Sequence, residues 1–302
     1  LDKITLALSW CPTDLDLLDA LAERVPPERV LLHLPHWRTD PYDENYPTYE
    51  PSEDAKKFVE KARTMGFHVA PHFNTVDMDP THPIYPLVRD FQYRDVASGR
   101  VQGWTYDRGS IMAVAESNLA RTKHQDKKLM VKIHPGLAMW RSVLGEAILN
   151  AAQEMSLDVV FTDVSLCTSN LHNALVEGVT PVEGMLRLID HVAGLGDGLV
   201  VGGEGLNEIT MQGQAFAQAH LMASDAEGLK RSAGCDLNQF LWGDLCRIIG
   251  YTGLGGRSEE DTLRRQVYDS QGAIPTLIVG SAEEIRNPTP EVERVLQQAG
   301  EK

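Results

Sequence analysis

The chain has 302 residues, 42% apolar and 24% charged, the balance of an ordinary globule able to bury a sizeable core. A net charge of −15 leaves no basic stripe to displace counterions from phosphates, so nucleic acid is excluded as a partner and neutral ligands such as sugars fit better. No apolar run approaches the ~20 residues of a membrane span, so no membrane partner is expected.

Ile4 to Trp10 reads as a first strand, ending in Cys11-Pro12. Asp14 caps a helix whose apolar positions Leu17, Leu18, Leu21, Ala22 and Val25 recur at helical spacing, and Pro26-Pro27 stops it. Val30 to Leu34 is strand two, ending near His36 and Trp37. The loop from Arg38 to Pro51 is longer than a simple strand-to-helix connection needs, which favours a functional loop. Ser52 caps the next helix and Gly66 closes it. Phe67 to Phe73 is strand three, delivering His72 and Asn74.

The pattern then weakens over residues 75–128, where prolines and the strand-like pieces Asp90–Val96 and Gly103–Tyr106 read as an irregular insertion with a small hairpin. Leu129 to His134 is taken as strand four. The helix from Leu137 to Met155 leads into strand five, Val159 to Asp163. Thr180-Pro181-Val182-Glu183 gives a cap hydroxyl, a proline at the first helical position and a glutamate at the third. That helix leads to strand six, Leu199 to Glu204. Ala215–Met222 is assigned as helix by its place in the alternation, Phe240–Ile249 as a strand, and Ile274–Val279 as the closing strand. Helices are expected around Thr262–Tyr268 and from Thr289-Pro290-Glu291 onward. Apolar strands alternating with amphipathic helices predict one (β/α)8 TIM barrel over residues 1–302, with an insertion after strand three.

In such barrels the chemistry gathers at the C-terminal ends of the strands. Two consecutive runs, Val159-Val160-Phe161-Thr162-Asp163 and Val200-Val201-Gly202-Gly203-Glu204, each stop on a carboxylate. Neighbouring strands lie about 4.8 Å apart, so Asp163 and Glu204 can approach the ~5–5.5 Å separation of retaining glycosidases. Asp163, on the shorter stem, would attack as nucleophile, and Glu204 would serve as acid and then base. Gly202 and Gly203 are read either as room for a substrate ring or as a packing need. Trp10, Trp37 and Trp242 offer flat apolar faces for a sugar. Asp40, Tyr42 and Asp43 in the loop, with His36, His72 and Asn74, supply groups that grip hydroxyls.

The segment Trp37…Asp40-Pro41-Tyr42-Asp43-Glu44-Asn45-Tyr46-Pro47 resembles the strand-two loop of the endo-α-N-acetylgalactosaminidase group and of related glycosidase-like barrels. "HVAPHFN" at strand three, Trp140-Arg141 before "VVFTDVS", and "VVGGEGLNE" are similar in the same order. The resemblance implies retaining hydrolysis of α-linked sugars, with Asp163 as nucleophile and Glu204 as proton donor. Related α-retaining barrels carry that pair on strands four and five, whereas the count above gives five and six. The characterised enzymes of the group are also far larger, with β-sandwich domains around the barrel.

A metal-dependent hydrolase is the enzymatic rival, because His33, His36, His72 and His134 fall near strand ends. It would want His-x-His closing strand one, where Ser9-Trp10-Cys11 stands. The other alternative is a carbohydrate-binding barrel that has lost the reaction. No metal or cofactor is expected: neither GxxxxGK[ST] nor a strand-linked GxGxxG is present. Cys11, Cys167, Cys235 and Cys246 form no staple pattern and read as free thiols. The chain begins at Leu1 without a basic-then-apolar leader, consistent with a processed extracellular or periplasmic chain or with a segment of a longer one. Compartment and oligomeric state stay open.

Overall fold

The computed structural model describes residues 2–94, 102–105, 129–165, 175–196, 198–219, 237–255 and 260–301. Its strands are β1 (Leu6–Leu8), β2 (Val30–Leu34), β3 (His68–Asn74), β4 (Asp77–Met78), β5 (Gly103–Thr105), β6 (Leu129–Lys132), β7 (Val159–Asp163), β8 (Val200–Glu204), β9 (Phe216–Ala219), β10 (Arg247–Gly250) and β11 (Thr276–Leu277). Eight lie in the order β10-β9-β8-β7-β3-β2-β1-β11, every neighbouring pair parallel. A parallel bridge between Ile249 and Ile274 draws the two ends of this row together. The expected (β/α)8 barrel is therefore formed, nearly closed.

Three expected assignments are corrected. β6 does not enter the barrel; it pairs antiparallel with β4 and β5 in a three-stranded sheet inserted after β3. β3 pairs directly with β7 instead, Asn74 opposite Asp163. The run assigned as helix, Ala215–Met222, contains strand β9 through Ala219, the sixth around the barrel. Asp163 thus closes the fourth barrel strand and Glu204 the fifth. The expected strand Phe240–Ile249 is divided: a helix covers Leu237–Trp242, and only Arg247–Gly250 is strand.

The capping signals act as read. Asp14 accepts from the Asp16 N–H, Ser52 from the Ala55 N–H and Thr180 from the Glu183 N–H, while Gly66 ends its helix at φ +99°. Apolar residues fill two compartments. One lies between strands and helices; the other, inside the barrel, is built from Ile4, Ala7, Leu31, Ala70, Val159, Phe161, Phe216, Ile249 and Ile274. Small Ala7 and Ala70 leave room for the large Phe161 and Phe216, the alternation of sizes that fills a narrow barrel. Gly202 belongs to this packing, since a Cβ there would overlap the Phe216 ring. Gly202→Ala is therefore expected to lower stability by about 1–3 kcal/mol through overpacking, measured by denaturant unfolding. Unchanged stability would remove that role.

Candidate active site

The C-terminal ends of β3, β7 and β8 converge. Asp163 is partly buried, its side chain 15% exposed, and Glu204 is buried. A hydrogen bond between the Glu204 and Asp163 carboxyl groups favours the ionised form of Asp163. Glu204 Oε2 also accepts the Val164 N–H at 3.0 Å, and Ser165 Oγ donates to the Glu204 carbonyl at 2.7 Å. Val164 adopts φ +62°, a strained value for a β-branched residue, and this turn aims its N–H at Glu204. Trp10 and Asp43, also at this end of the barrel, share positive φ.

Asp163 Oδ2 lies 3.3 Å from His72 Nε2 and 3.4 Å from Asn74 Nδ2. Asn74 also donates to Asp77 Oδ2 at 3.1 Å, and Lys132 Nζ donates to Asp77 Oδ1 at 2.7 Å with both side chains fully buried. The inserted sheet thus contributes a charge pair, Asp77–Lys132, beside the barrel carboxylates. Burial pushes Asp163 up to about 6; the Asp77 charge adds to that, while the Glu204 hydrogen bond, the Val164 N–H and the Lys132 charge oppose it. Burial holds His72 down at about 4 and His33 well below the usual imidazole value. Both rings are neutral at pH 7, so the 3.3 Å approach of His72 to Asp163 is not an ion pair.

These shifts fix a pH dependence. Between pH 6.5 and 4 the unfolded chain binds protons that buried His33 and His72 refuse, so stability falls on acidification. Asp163 acts oppositely: from 3.8 to about 6 the fold keeps a proton that the unfolded chain has released. Two histidines outweigh one carboxylate, so melting temperature is expected to drop from pH 7 to pH 5. Asp163→Asn, lacking the opposing group, is expected to steepen the drop. A flat profile in both proteins would contradict the neutral-histidine assignment.

The expected sugar-contacting residues divide. Trp10 is 36% exposed and its ring packs against His36 at 5.7 Å and Tyr42 at 5.2 Å between centroids. Tyr42 in turn lies 5.2 Å from the His72 ring, and its hydroxyl is 3.5 Å from His72 Nε2. Trp10 also lines a groove with Thr252, Ile278, Gly280 and Glu284. Trp10, His36, Tyr42, His72 and Asn74 are thus brought to one rim with the carboxylates.

Trp37 is not at that rim. It is fully buried, donating to the His72 carbonyl at 2.9 Å and stacked on Tyr49, so it positions β3 and offers no open face. Trp242 is also elsewhere: it ends the helix that feeds into the N-terminal end of β10, opposite the mouth. Asp40 accepts from Asn45 Nδ2 at 3.0 Å, and buried Asp43 accepts from Tyr46 Oη at 3.4 Å. Both acids are engaged in holding the loop. The sequence reading missed what orders this loop: buried Arg38 donates to the carbonyls of Pro41, Glu44 and Thr48 and lies over the Tyr46 ring. It also missed Ser9, Asp77, Lys132 and Gln218. The signal was there: a lysine inside "LMVKI" and a glutamine inside "FAQA" are polar interruptions of buried strands that demand partners.

Among the described residues, no group of three or more His, Cys, Asp or Glu side chains is arranged to hold a metal ion. His33 and His72 face each other, His36 is exposed, and His134 Nδ1 accepts the Gly136 N–H. Cys11 and Cys246 are buried free thiols; Cys167 and Cys235 lie outside the described residues. No helix among the described residues is long and apolar enough to cross a membrane.

No protein-family model matches the chain, and no curated protein matches it in sequence. Solved structures do match in fold. The α-galactosidase of Thermus thermophilus, in complex with stachyose, superposes with TM-score 0.62 at 11% identity, over 98% of this chain and 64% of that one. The α-galactosidase of Geobacillus stearothermophilus gives 0.60 at 10% identity, over 99% and 41%. The α-N-acetylgalactosaminidase of Bifidobacterium bifidum gives 0.58 at 16% identity, over 90% and 43%. The chain thus spans less than two thirds of the length of these structures, and its barrel is of the kind found in α-galactosidases and α-N-acetylgalactosaminidases.

Proposed function

We propose that this barrel is a retaining glycosidase acting on α-linked galacto-configured sugars, with Asp163 as nucleophile and Glu204 as acid and then base. One observation carries the reading: two carboxyl groups on consecutive strands meet at the C-terminal mouth, beneath an aromatic rim of Trp10, His36 and Tyr42. Carboxyl groups in contact are far closer than the roughly 6.5–9.5 Å that an inverting enzyme needs to seat its water. Retention divides the labour between an ionised attacker, here Asp163, and a protonated donor, here Glu204. The α-linkage and the galacto configuration are taken from what the similar structures are named for.

In the reaction a sugar entering between the two groups replaces their mutual hydrogen bond. Asp163 then attacks the anomeric carbon while Glu204 protonates the leaving oxygen. Water completes hydrolysis with Glu204 as base. Asn74, donating to Oδ2, holds the attacking group in place, with His72 Nε2 3.3 Å from the same oxygen.

The test is to follow p-nitrophenyl α-D-galactopyranoside and the matching α-N-acetylgalactosaminide by proton NMR from the first turnover. The first-formed product is expected to be the α-anomer. A β-anomer would reverse the stereochemical reading, and binding without turnover would support the non-catalytic barrel.

A further inference from the structure

From the polar groups that cross the upper layer of the barrel, we infer that Gln218, Ser9 and His33 form a directional hydrogen-bond chain that sets His72 as the donor to Asp163. This rests on the reading of Asp163 as the nucleophile; the three residues are positioning residues and touch no substrate.

The chain runs across five strands of the barrel. Gln218, on β9, donates from Nε2 to Ser9 Oγ at 2.9 Å. Ser9, just past β1, lies 3.4 Å from His33 Nδ1 on β2. His33 Nε2 is 3.3 Å from His72 Nδ1 on β3, and His72 Nε2 is 3.3 Å from Asp163 Oδ2 on β7. Gln218, Ser9, His33 and His72 are all at most 3% exposed, so water does not substitute for any link.

A neutral imidazole has one donor and one acceptor nitrogen, so each link dictates the next. Two placements of the ring protons satisfy the Ser9–His33 and His33–His72 links. In the first, the Gln218 amide donates to Ser9, the Ser9 hydroxyl to His33 Nδ1, His33 Nε2–H to His72 Nδ1, and His72 Nε2–H to Asp163. In the second, Ser9 Oγ accepts from both the Gln218 amide and His33 Nδ1–H, His72 Nδ1–H donates to His33 Nε2, and His72 turns a bare lone pair on Asp163. The second opposes two lone pairs whenever Asp163 is ionised, the state in which it attacks. The first turns an N–H toward the carboxylate oxygen 3.3 Å away, and the Gln218 orientation accommodates it. The Tyr42 hydroxyl, 3.5 Å from His72 Nε2, can accept the same proton in this polarity. The polarity of the whole chain is thereby tied to the charge on one carboxylate.

The experiment reads the tautomers directly. In protein carrying 15N-histidine, long-range proton–nitrogen correlation spectra at pH 7.5 are expected to show His33 and His72 both neutral with the proton on Nε2, their signals assigned by loss in His33→Asn and His72→Asn. Ser9→Ala removes the donor to His33 Nδ1, and both rings are expected to become tautomer mixtures. With p-nitrophenyl α-D-galactopyranoside, kcat is expected to fall about tenfold with KM held within about twofold, and Ser9→Thr, which keeps the hydroxyl, to restore it. An Nδ1–H tautomer at His72 in the unaltered protein, or unchanged ring spectra in Ser9→Ala, would overturn the inference. Absence of turnover, or an Asp163→Asn variant as fast as the parent, would defeat the nucleophile reading instead and leave the tautomer result standing.

Discussion

Asp163→Asn is expected to lower kcat on aryl α-galactosides by at least about 10⁴-fold while making the folded protein more stable at pH 7.5. The loss follows because an amide cannot attack an anomeric carbon. The gain follows because burial and the Asp77 charge hold Asp163 near 6 against 3.8 when unfolded, so its ionisation weighs on the fold above pH 6. Removing it is expected to add about 1–3 kcal/mol. The amide is well suited to the site: its oxygen can keep the donor Asn74, and its NH2 can turn to Glu204. Enzyme kinetics and denaturant unfolding on the same preparation check both halves. Retained activity would remove Asp163 from the mechanism; lost activity with lost stability would recast it as a structural residue.

Lys132→Met is expected to lower stability by about 3–5 kcal/mol, because it leaves Asp77 buried without its cation. Lys132 lies on the inserted sheet, and through Asp77 and Asn74 it connects that sheet to Asp163. Its charge also helps to keep Asp163 ionised, so the acidic limb of kcat/KM is expected to move to higher pH in the variant. The double variant Lys132→Met/Asp77→Asn removes both charges and is expected to recover at least half of the lost stability. Urea titrations of the two single variants and the double variant complete the cycle. A cost below about 1 kcal/mol for Lys132→Met would mean that the pair is hydrated and does not anchor the insertion.

The barrel was legible in the sequence because alternation, caps and stops are local. Thr180-Pro181 starts its helix as written, and Asp163 and Glu204 close their strands as read. Pairing partners are not local. A run such as Leu129-Met130-Val131-Lys132 reads the same whether it joins a parallel barrel or an antiparallel side sheet, and only the buried lysine distinguishes them. Phe216-Ala217-Gln218-Ala219 is buried throughout, so it lacks the alternation that marks a half-exposed strand, and its small residues left helix and strand undecided. One false strand and one missed strand kept the total at eight and shifted the carboxylates by one place.

At the site, residue type was easier to read than direction. His36 is exposed while Trp37 beside it is buried, a rotation of one residue that composition does not encode. Phe240 made its segment look like a buried strand, yet it is 81% exposed on a short helix. The Ser9–His33–His72 chain joins residues from separate strands, so no spacing along the sequence could announce it.

The most direct measurement is to trap the covalent intermediate. The protein is incubated with an activated 5-fluoro-α-D-galactosyl fluoride, which forms the glycosyl-enzyme quickly and releases it slowly, and is then digested for peptide mass mapping. The expected result is a single fluorogalactosyl ester on the carboxylate of Asp163. A label on Glu204 or any other residue, or full turnover without an adduct and with an inverted product, would contradict it.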